Sequence, residues 1–206
     1  MKLGSLKEGG RDGTLVVVSR DLTRIAMADS IAPNLQTAIE NWEQLSPQLE
    51  VLYTQLNADN VEGSRPFSAG EMASPLPRAY QWADGSAYLN HMRLVRQSRG
   101  VEMPESFNHE PLLYQGGSDG FIGPEDPIEA RDEAWGIDFE SEMAIITDDV
   151  PYGASYGQAA EHIKLVMLCN DVSLRIVMKP ELTKGFGFFQ SKPATAFSPL
   201  CVTPDE

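Results

Sequence analysis

The chain has 206 residues, of which 42% are hydrophobic and 22% charged, and its formal net charge is −14. This composition is typical of a globular protein with one large domain or a small domain joined to a larger one. The chain is strongly acidic and has no basic stripe, which argues against a nucleic-acid partner. The apolar run Leu15 to Val18 is too short for a signal peptide or a membrane span. We therefore expect no nucleic-acid or membrane partner and a cytoplasmic location.

The two cysteines, Cys169 and Cys201, are 32 positions apart and lack the spacing of a metal site. Cytosolic proteins keep their thiols reduced, so we expect free thiols and no disulfide framework.

The N-terminal region is predicted to contain strands followed by helices. A Gly-rich turn at residues 8–13 precedes the β-rich run Thr14 to Val18. Apolar residues at helix spacing then run from about Asn34 to Leu56, and Ser46-Pro47 should interrupt this helix.

A polar stretch rich in Gly and Pro, residues 57–74, follows these helices. It is typical of a linker or a long loop. We place a boundary near residue 72, so that the predicted regions are 1–72 and 73–206.

The second region opens with a predicted helix over residues 87–96, whose basic residues toward the end suit the helix dipole. Asp84 lies just before it, and its simplest explanation is a helix cap. His91, taken alone, is more simply a partly buried, hydrogen-bonded histidine than a general base. Tyr114 lies in the irregular stretch 100–133, where it is either a loop anchor or part of a site.

Residues 136–146 alternate with a period of two, which predicts a β-strand. One face carries Ile137, Phe139, Ser141, Met143 and Ile145, and the other carries Asp138, Glu140, Glu142 and Ala144. Glu140 and Glu142 then lie about 7 Å apart at Cα, and they repel each other unless a cation lies between them or both reach water. The pair indicates either a site for a hard divalent ion, Mg²⁺ or Ca²⁺, or a solvated acidic face.

After a turn at residues 148–151, Ser155 is predicted to cap a short helix that ends near His162. His162 is predicted to be a surface residue without a partner. Ile163 to Cys169 is a nearly continuous apolar run, typical of a strand buried on both faces.

Asp171 follows this strand, and a buried carboxylate there needs a partner, which is either a bound cation or Arg175, four residues on. Lys192 ends the aromatic run 185–192 and is followed by a Pro-rich strand. It is either a desolvated cation that meets an oxyanion or a surface lysine.

Five segments in this order resemble the fumarylacetoacetate hydrolase family: Asp84…His91, Pro111…Tyr114, Glu140-Ser141-Glu142, Asn170-Asp171-Val172-Ser173-x-Arg175 and Lys192…Ser198-Pro199. The resemblance covers about residues 75–206 well and the first 70 residues loosely. It implies an α+β fold, in which a small N-terminal α/β domain precedes an incomplete mixed β-sheet roll. It also implies a homodimer and a role in aromatic amino-acid catabolism, such as tyrosine degradation.

The resemblance also implies roles for individual residues. A divalent metal, Mg²⁺ or Ca²⁺, would be bound by Asp84, Glu140, Glu142 and Asp171. His91 would be the general base, and Lys192 would face the developing oxyanion. The oxygens of the substrate would be bound by Tyr88, Tyr114, Arg175 and Lys192.

Two departures from the family pattern matter. Active hydrolases of the family pair the catalytic histidine with a glutamate far downstream. No residue of this sequence can be assigned that role. Met178 stands where some members carry a substrate-contacting glutamine. Both points predict a fragment of a longer protein, with open sheet edges.

The activity implied is metal-dependent hydrolysis of a C–C bond in a β-diketo acid of the fumarylacetoacetate or acylpyruvate type, with water activated by a histidine. One alternative keeps the site and changes the reaction to decarboxylation or tautomerisation of an oxo-acid. Another is a catalytically incomplete fragment that acts only as a binding or structural domain.

Overall fold

The computed structural model describes residues 1–98, 100–185 and 187–206. Phe186, in the aromatic run before Lys192, lies outside the described residues. The described strands are β1 (Lys2–Leu6), β2 (Thr14–Val18), β3 (Arg24–Met27), β4 (Arg65–Pro66), β5 (Trp82–Gly85), β6 (Leu113–Gly116), β7 (Ile137–Asp138), β8 (Ser141–Thr147), β9 (Ile163–Asn170), β10 (Ser173–Leu174), β11 (Ala196–Phe197) and β12 (Cys201–Val202). The described helices are α1 (Leu35–Glu40), α2 (Trp42–Asn57), α3 (Leu89–Ser98), α4 (Tyr156–Glu161) and α5 (Arg175–Leu182), with 3₁₀ turns at Ala69–Glu71, Glu105–Asn108 and Glu133–Trp135.

One eight-stranded sheet spans both predicted regions. Its strand order is β11-β9-β12-β1-β2-β3-β4, and β8 pairs with β9 along the whole length of that strand. Strand β12, from the second region, pairs antiparallel with β1 from the first. Two small antiparallel pairs, β5–β6 and β7–β10, complete the strand pairing. The boundary near residue 72 stays a prediction.

Helices α1 and α2 cover one face of the sheet. The apolar residues of α2 at helix spacing, Leu49, Tyr53 and Leu56, are buried in the main core with Leu15 and Val17 of β2. The predicted strand at β2 and the predicted helical pattern are therefore confirmed.

The predicted interruption at Pro47 is wrong. Helix α2 continues through Pro47, and the break between helices lies at Asn41, which ends α1 and begins α2. Pro47 removes one backbone hydrogen-bond donor in an early turn, which the burial of the rest of α2 offsets.

The single strand predicted over residues 136–146 is also wrong. Residues 139–140 interrupt it, and the two pieces, β7 and β8, belong to different sheets. The alternation on β8 is as predicted, but Ala144 and Ile146 on the acidic face are buried in the core, whereas Met143 and Ile145 are exposed.

Strand β9 is not buried on both faces among the described residues. Leu165, Met167 and Cys169 lie in the core, but Leu168 on the other face is 60% exposed. Leu168 pairs with the exposed Met143 of β8, so the two strands share one open apolar face.

The segment between β8 and β9 is a short capped helix. Ser155 and Gln158 form a capping box at the start of α4, which confirms the predicted cap. His162, however, is not a surface residue without a partner, because its Nδ1 lies 2.5 Å from Oδ1 of Asp148. Lys164 also pairs with Asp148, at 3.1 Å.

Both cysteines are free thiols and buried, as predicted. Desolvation raises the pKa of each thiol to about 12, so neither is a reactive thiolate near neutral pH. Within the described ranges, no helix has the length and apolarity needed to cross a membrane.

Candidate functional site

Asp84 and Tyr114 face each other across the β5–β6 hairpin. Asp84 therefore lies on a strand and does not cap the following helix, which begins only at Leu89. Tyr114 likewise lies on a strand and not in a loop. The hairpin brings one carboxylate and one phenol to the same place.

The ends of β8 and β9 bring three further acidic residues to this place. Glu142 on β8 pairs with Cys169 on β9, so Glu140 precedes β8 at the point where Asp171 follows β9. The backbone N–H of Asp171 donates to the carbonyl of Glu140 at 3.0 Å. Glu140 and Asp171 are thus neighbours because the two strands are paired.

Lys192 lies between these two carboxylates. Its Nζ is 2.6 Å from Oε2 of Glu140 and 2.6 Å from Oδ2 of Asp171, and its side chain is only 6% exposed. The surface-lysine interpretation is therefore wrong. Lys192 is also the partner that buried Asp171 requires, since Arg175 pairs with other residues.

Arg175 and Ser173 also donate to the carboxylate of Glu140. The Arg175 guanidinium donates to Oε1 of Glu140 and, through Nε, to Oδ2 of Asp138 at 2.7 Å. The buried Ser173 hydroxyl donates to Oε2 of Glu140 at 2.9 Å. The sequence reasoning gave Ser173 no role, although its position two residues after Asp171 was a usable signal.

Asp171 is the most crowded acid of the site. Its side chain is 1% exposed, and the Tyr114 hydroxyl donates to its Oδ2, the oxygen that also binds Lys192. Asp84 shares a hydrogen bond with Asp171, which requires a proton on one of the two carboxyl groups. Phe188 packs edge-on against Tyr114, with ring centres 5.2 Å apart.

The pKa values reflect this crowding of acids. Burial, the hydrogen bond to Asp171 and the charges of neighbouring acids raise the pKa of Asp84 to about 7. Burial and the charges of Glu140 and Asp171 also raise the pKa of Glu142. For Glu140, burial acts upward, but Lys192 and Arg175 outweigh it and hold the pKa below its usual value.

Tyr114 stays protonated for the same reason. Burial, its hydrogen bond to Asp171 and the surrounding negative charge raise its pKa well above the usual value. Tyr114 is therefore a hydrogen-bond donor at neutral pH.

Tyr88 lies just before α3 and His91 lies on it, both a few residues after Asp84 in the chain. His91 is exposed, and its effect on the pKa of Glu142 places it in the neighbourhood of that carboxyl. Tyr88, just before α3, is 51% exposed. Met178, at the position of the family's glutamine, is buried, and its Sδ lies 3.9 Å from the Arg175 guanidinium.

The donor set suits a hard divalent cation. Four carboxylates, those of Asp84, Glu140, Glu142 and Asp171, surround a region in which Lys192 and Arg175 supply two positive charges. Burial first, and then the charges of neighbouring acids, raise the pKa values of Asp84 and Glu142, and carboxylate oxygens are the ligands that Mg²⁺ and Ca²⁺ prefer. Among the described residues, no group of three His, Cys, Asp or Glu side chains is positioned to hold a metal ion. Lys192 and Tyr114 instead contact the oxygens of Glu140 and Asp171.

Two family models match the chain. The model described as "Fumarylacetoacetase N-terminal domain 2" matches residues 1–78, and the model described as "Fumarylacetoacetate (FAA) hydrolase C-terminal" matches residues 81–206. The second range is more than half of the chain and confirms the resemblance found in the sequence. No curated protein matches the chain.

Solved structures share the fold. A fumarylacetoacetate hydrolase from the psychrophile Exiguobacterium antarcticum superposes with a TM-score of 0.68 at 18% identity, covering 100% of this chain and 67% of that one. A maleylpyruvate hydrolase from Sphingobium sp. SYK-6, in complex with manganese(II) and pyruvate, gives 0.63 at 16% identity, covering 100% and 68%. A 5-carboxymethyl-2-hydroxymuconate delta-isomerase from Mycobacterium smegmatis gives 0.57 at 20% identity, covering 99% and 66%. The chain thus spans about two thirds of the length of these structures, and the predicted α+β fold class is confirmed.

Proposed function

Because the chain belongs to the fumarylacetoacetate hydrolase family, we propose that it hydrolyses a C–C bond in a β-diketo acid. The observation that supports this proposal is buried Lys192 between the carboxylates of Glu140 and Asp171, beside the Tyr114 hydroxyl, with Asp84 and Glu142 near enough for these acids to act on their pKa values. Such a site joins oxygen ligands for a cation to donors for a substrate oxyanion.

Asp84, Glu140, Glu142 and Asp171 would hold the cation, Mg²⁺ or Ca²⁺, and the manganese bound to the Sphingobium hydrolase supports a divalent ion. When bound, the ion supplies Lewis-acid polarisation of the substrate's oxygens. Burial and the repulsion between acids raise the pKa values of Asp84 and Glu142, and a cation would favour their ionised forms.

The protein's own groups account for the rest of the reaction. His91 takes a proton from the water molecule whose oxygen adds to the substrate's carbonyl carbon. Lys192 donates to the oxygen on which negative charge develops, while Arg175, Tyr114 and Tyr88 bind the substrate's carboxylate and carbonyl oxygens. The bond between the attacked carbon and the neighbouring carbon then breaks, the latter takes up a proton, and two carboxylic acids result.

The test is the loss of ultraviolet absorbance of acetylpyruvate, a β-diketo acid, in the presence of the 206-residue chain with Mg²⁺, Ca²⁺ or Mn²⁺, and with EDTA instead. We expect turnover only with a divalent ion, and about 2.7 kcal/mol of added stability at a hundredfold excess of the ion over its Kd. Glu140→Ala and the milder Glu142→Gln should lose both effects, whereas Glu133→Gln, at an exposed position, should keep both. The proposal would be contradicted if a divalent ion did not raise the free energy of unfolding of the parent chain. It would also be contradicted if the folded Glu142→Gln variant turned over acetylpyruvate as fast as the parent.

A second reaction on the same site is supported by the isomerase among the structural neighbours. Tautomerisation or decarboxylation of an oxo-acid needs the same stabilised enolate and no attacking water. Product analysis separates the reactions, because oxaloacetate would release CO₂ or change tautomer, whereas acetylpyruvate would yield two acids. The homodimer and the role in tyrosine degradation stay predictions from the resemblance, and the cytoplasmic location stays a prediction from the sequence.

A further inference from the structure

A cleft of about 850 Å³ lies between the N-terminal helices and the second region, away from the acidic site. Residues from α1 and the start of α2 form one wall, and residues 79–82, Phe121 and the end of β8 form the other. None of the four carboxylates near Lys192 lines it. Its volume is in the range of small-molecule sites, and the proposed reaction does not use it.

The apolar part of the cleft combines aliphatic and aromatic side chains. Trp42, Tyr80, Trp82 and Phe121 all line it. Trp82 is held by edge-on contacts to Phe121 and Phe197, with ring centres 6.0 and 5.5 Å apart, so this wall is fixed by packing. Aromatic faces attract both apolar ligand groups and cations.

The charged part of the cleft is acidic only. Glu40, Glu43, Asp148 and Asp149 line it, and no Lys, Arg or His is among its described lining residues. Lys164, which neutralises Asp148 at 3.1 Å, leaves the other three carboxylates to set the charge. Arg78 lies two residues before Tyr80 in the chain, but its guanidinium is bound to Asp12 at 2.6 and 2.9 Å.

The N-terminus of α2 adds a positive partial charge to the cleft. A helix N-terminus carries about half a positive charge, and Asn41 provides no side-chain cap there. Glu43, in the first turn, offsets this partial charge, and Glu40 and Asp149 remain. The cleft is therefore negative overall, with aromatic walls.

We propose that this cleft binds a small organic ammonium ion, whose apolar body packs against Trp42 and Trp82 and whose charge faces Glu43, Glu40 and Asp149. Neither wall suits an anion such as the β-diketo acid of the proposed reaction, so this is a second site with the opposite charge preference. Cation–π attraction and the charge of the carboxylates act together on such a ligand.

The experiment uses three probes of the same shape: 2-phenylethylammonium, neutral 2-phenylethanol and anionic phenylacetate. The chain contains three tryptophans, and Trp135→Phe leaves Trp42 and Trp82 of the cleft as the fluorescent reporters. We expect a saturable fluorescence change with the ammonium ion, binding of the alcohol that is about tenfold weaker, and none with phenylacetate. The affinity for the ammonium ion should also fall as NaCl is added.

Two variants in the Trp135→Phe background test the carboxylates. Glu43→Gln and Asp149→Asn change exposed residues and should each weaken ammonium binding about threefold to tenfold. Glu62→Gln is the matched control, because Glu62 is exposed beyond the opposite end of α2 and should leave the affinity unchanged. Circular dichroism verifies that each variant is folded.

The proposal is overturned if no probe binds, if phenylacetate binds as tightly as the ammonium ion, or if both folded carboxamide variants keep the parent affinity. None of these outcomes depends on activity at the acidic site, so the proposed hydrolase can fail while the ammonium site stands.

Discussion

Lys192 is the residue on which the electrostatics of the acidic site depend. Its buried Nζ lies 2.6 Å from carboxylate oxygens of both Glu140 and Asp171. Asp171 is itself buried, so loss of the ammonium group would leave it with hydrogen bonds from Tyr114 and no positive charge in contact. A buried charge without a partner is more costly than the pair was favourable.

We therefore predict that Lys192→Met lowers the free energy of unfolding by about 3 kcal/mol, measured by urea denaturation at pH 7. Lys184→Met is the matched control, because Lys184 is exposed and the change should stay within about 0.5 kcal/mol. If both variants have the parent's stability, the ion pairs of Lys192 contribute nothing and this account of the site is wrong.

Single residues also show which partners could be predicted from the sequence and which could not. It identified Asp171 as a buried carboxylate in need of a partner, but it offered only the nearby Arg175 or a bound cation. The partner among the described side chains is Lys192, 21 residues away, and pairing over that separation depends on the whole fold. His162 was missed for a similar reason, since only the β8–β9 pairing brings it to Asp148.

At the scale of elements, the β5–β6 hairpin sets the position of Asp84 and Tyr114. Trp82 of β5 pairs with Gly116 of β6 in the same hairpin. A Cβ at residue 116 would lie 2.2 Å from Cδ1 of Trp82 and 2.7 Å from its Nε1. The Trp82 ring cannot move aside easily, because it also packs on Phe121 and Phe197.

Gly116→Ala is expected to destabilise the chain by about 1–3 kcal/mol through this overlap, measured by thermal or urea unfolding. Gly120→Ala is its control, because no atom lies within 4 Å of a Cβ built there. Equal stability of the two variants would mean that the hairpin register differs from the one described.

On strand β8, the alternation of residue types predicts which side chains share a face but not which face is buried. The period of two correctly identified the side chains that share a face of β8, since that follows from strand geometry alone. It did not tell which face is buried, because both faces carry apolar residues: Ala144 and Ile146 on one, Met143 and Ile145 on the other. That choice is made by long-range packing on the core with α1 and α2.

At the scale of the whole molecule, the strongly acidic chain concentrates negative charge at specific places. Besides the site at Lys192, one such place is Glu206, whose side chain is only 10% exposed. Its Oε1 accepts from the Tyr53 hydroxyl at 2.7 Å and from Nζ of Lys2 at 3.0 Å, and Oε2 lies 3.5 Å from the Met1 ammonium. Glu206 thereby joins β1 and α2 to the residues after β12.

This arrangement predicts an acid-sensitive contribution to stability. Burial acts to raise the pKa of Glu206, but Tyr53, Lys2 and the Met1 ammonium outweigh it and lower the pKa to about 2. A carboxyl whose pKa is lower in the folded state stabilises the fold fully above the pKa of the unfolded chain, about 4.3, and that contribution is lost as the pH falls toward about 2.

Glu206→Gln should therefore lower the free energy of unfolding by about 1–3 kcal/mol at pH 7, because it removes a charge that accepts several hydrogen bonds. Measured by urea denaturation at several pH values, the difference between parent and variant should hold from pH 7 to pH 5 and shrink below about pH 4, because the carboxyl of the unfolded parent takes up a proton there while that of the folded parent stays ionised to about pH 2. Glu105→Gln, at an exposed position, serves as the control and should show no such trend. A difference that stays constant down to pH 2 would show that the loss comes from packing and not from the charge of Glu206.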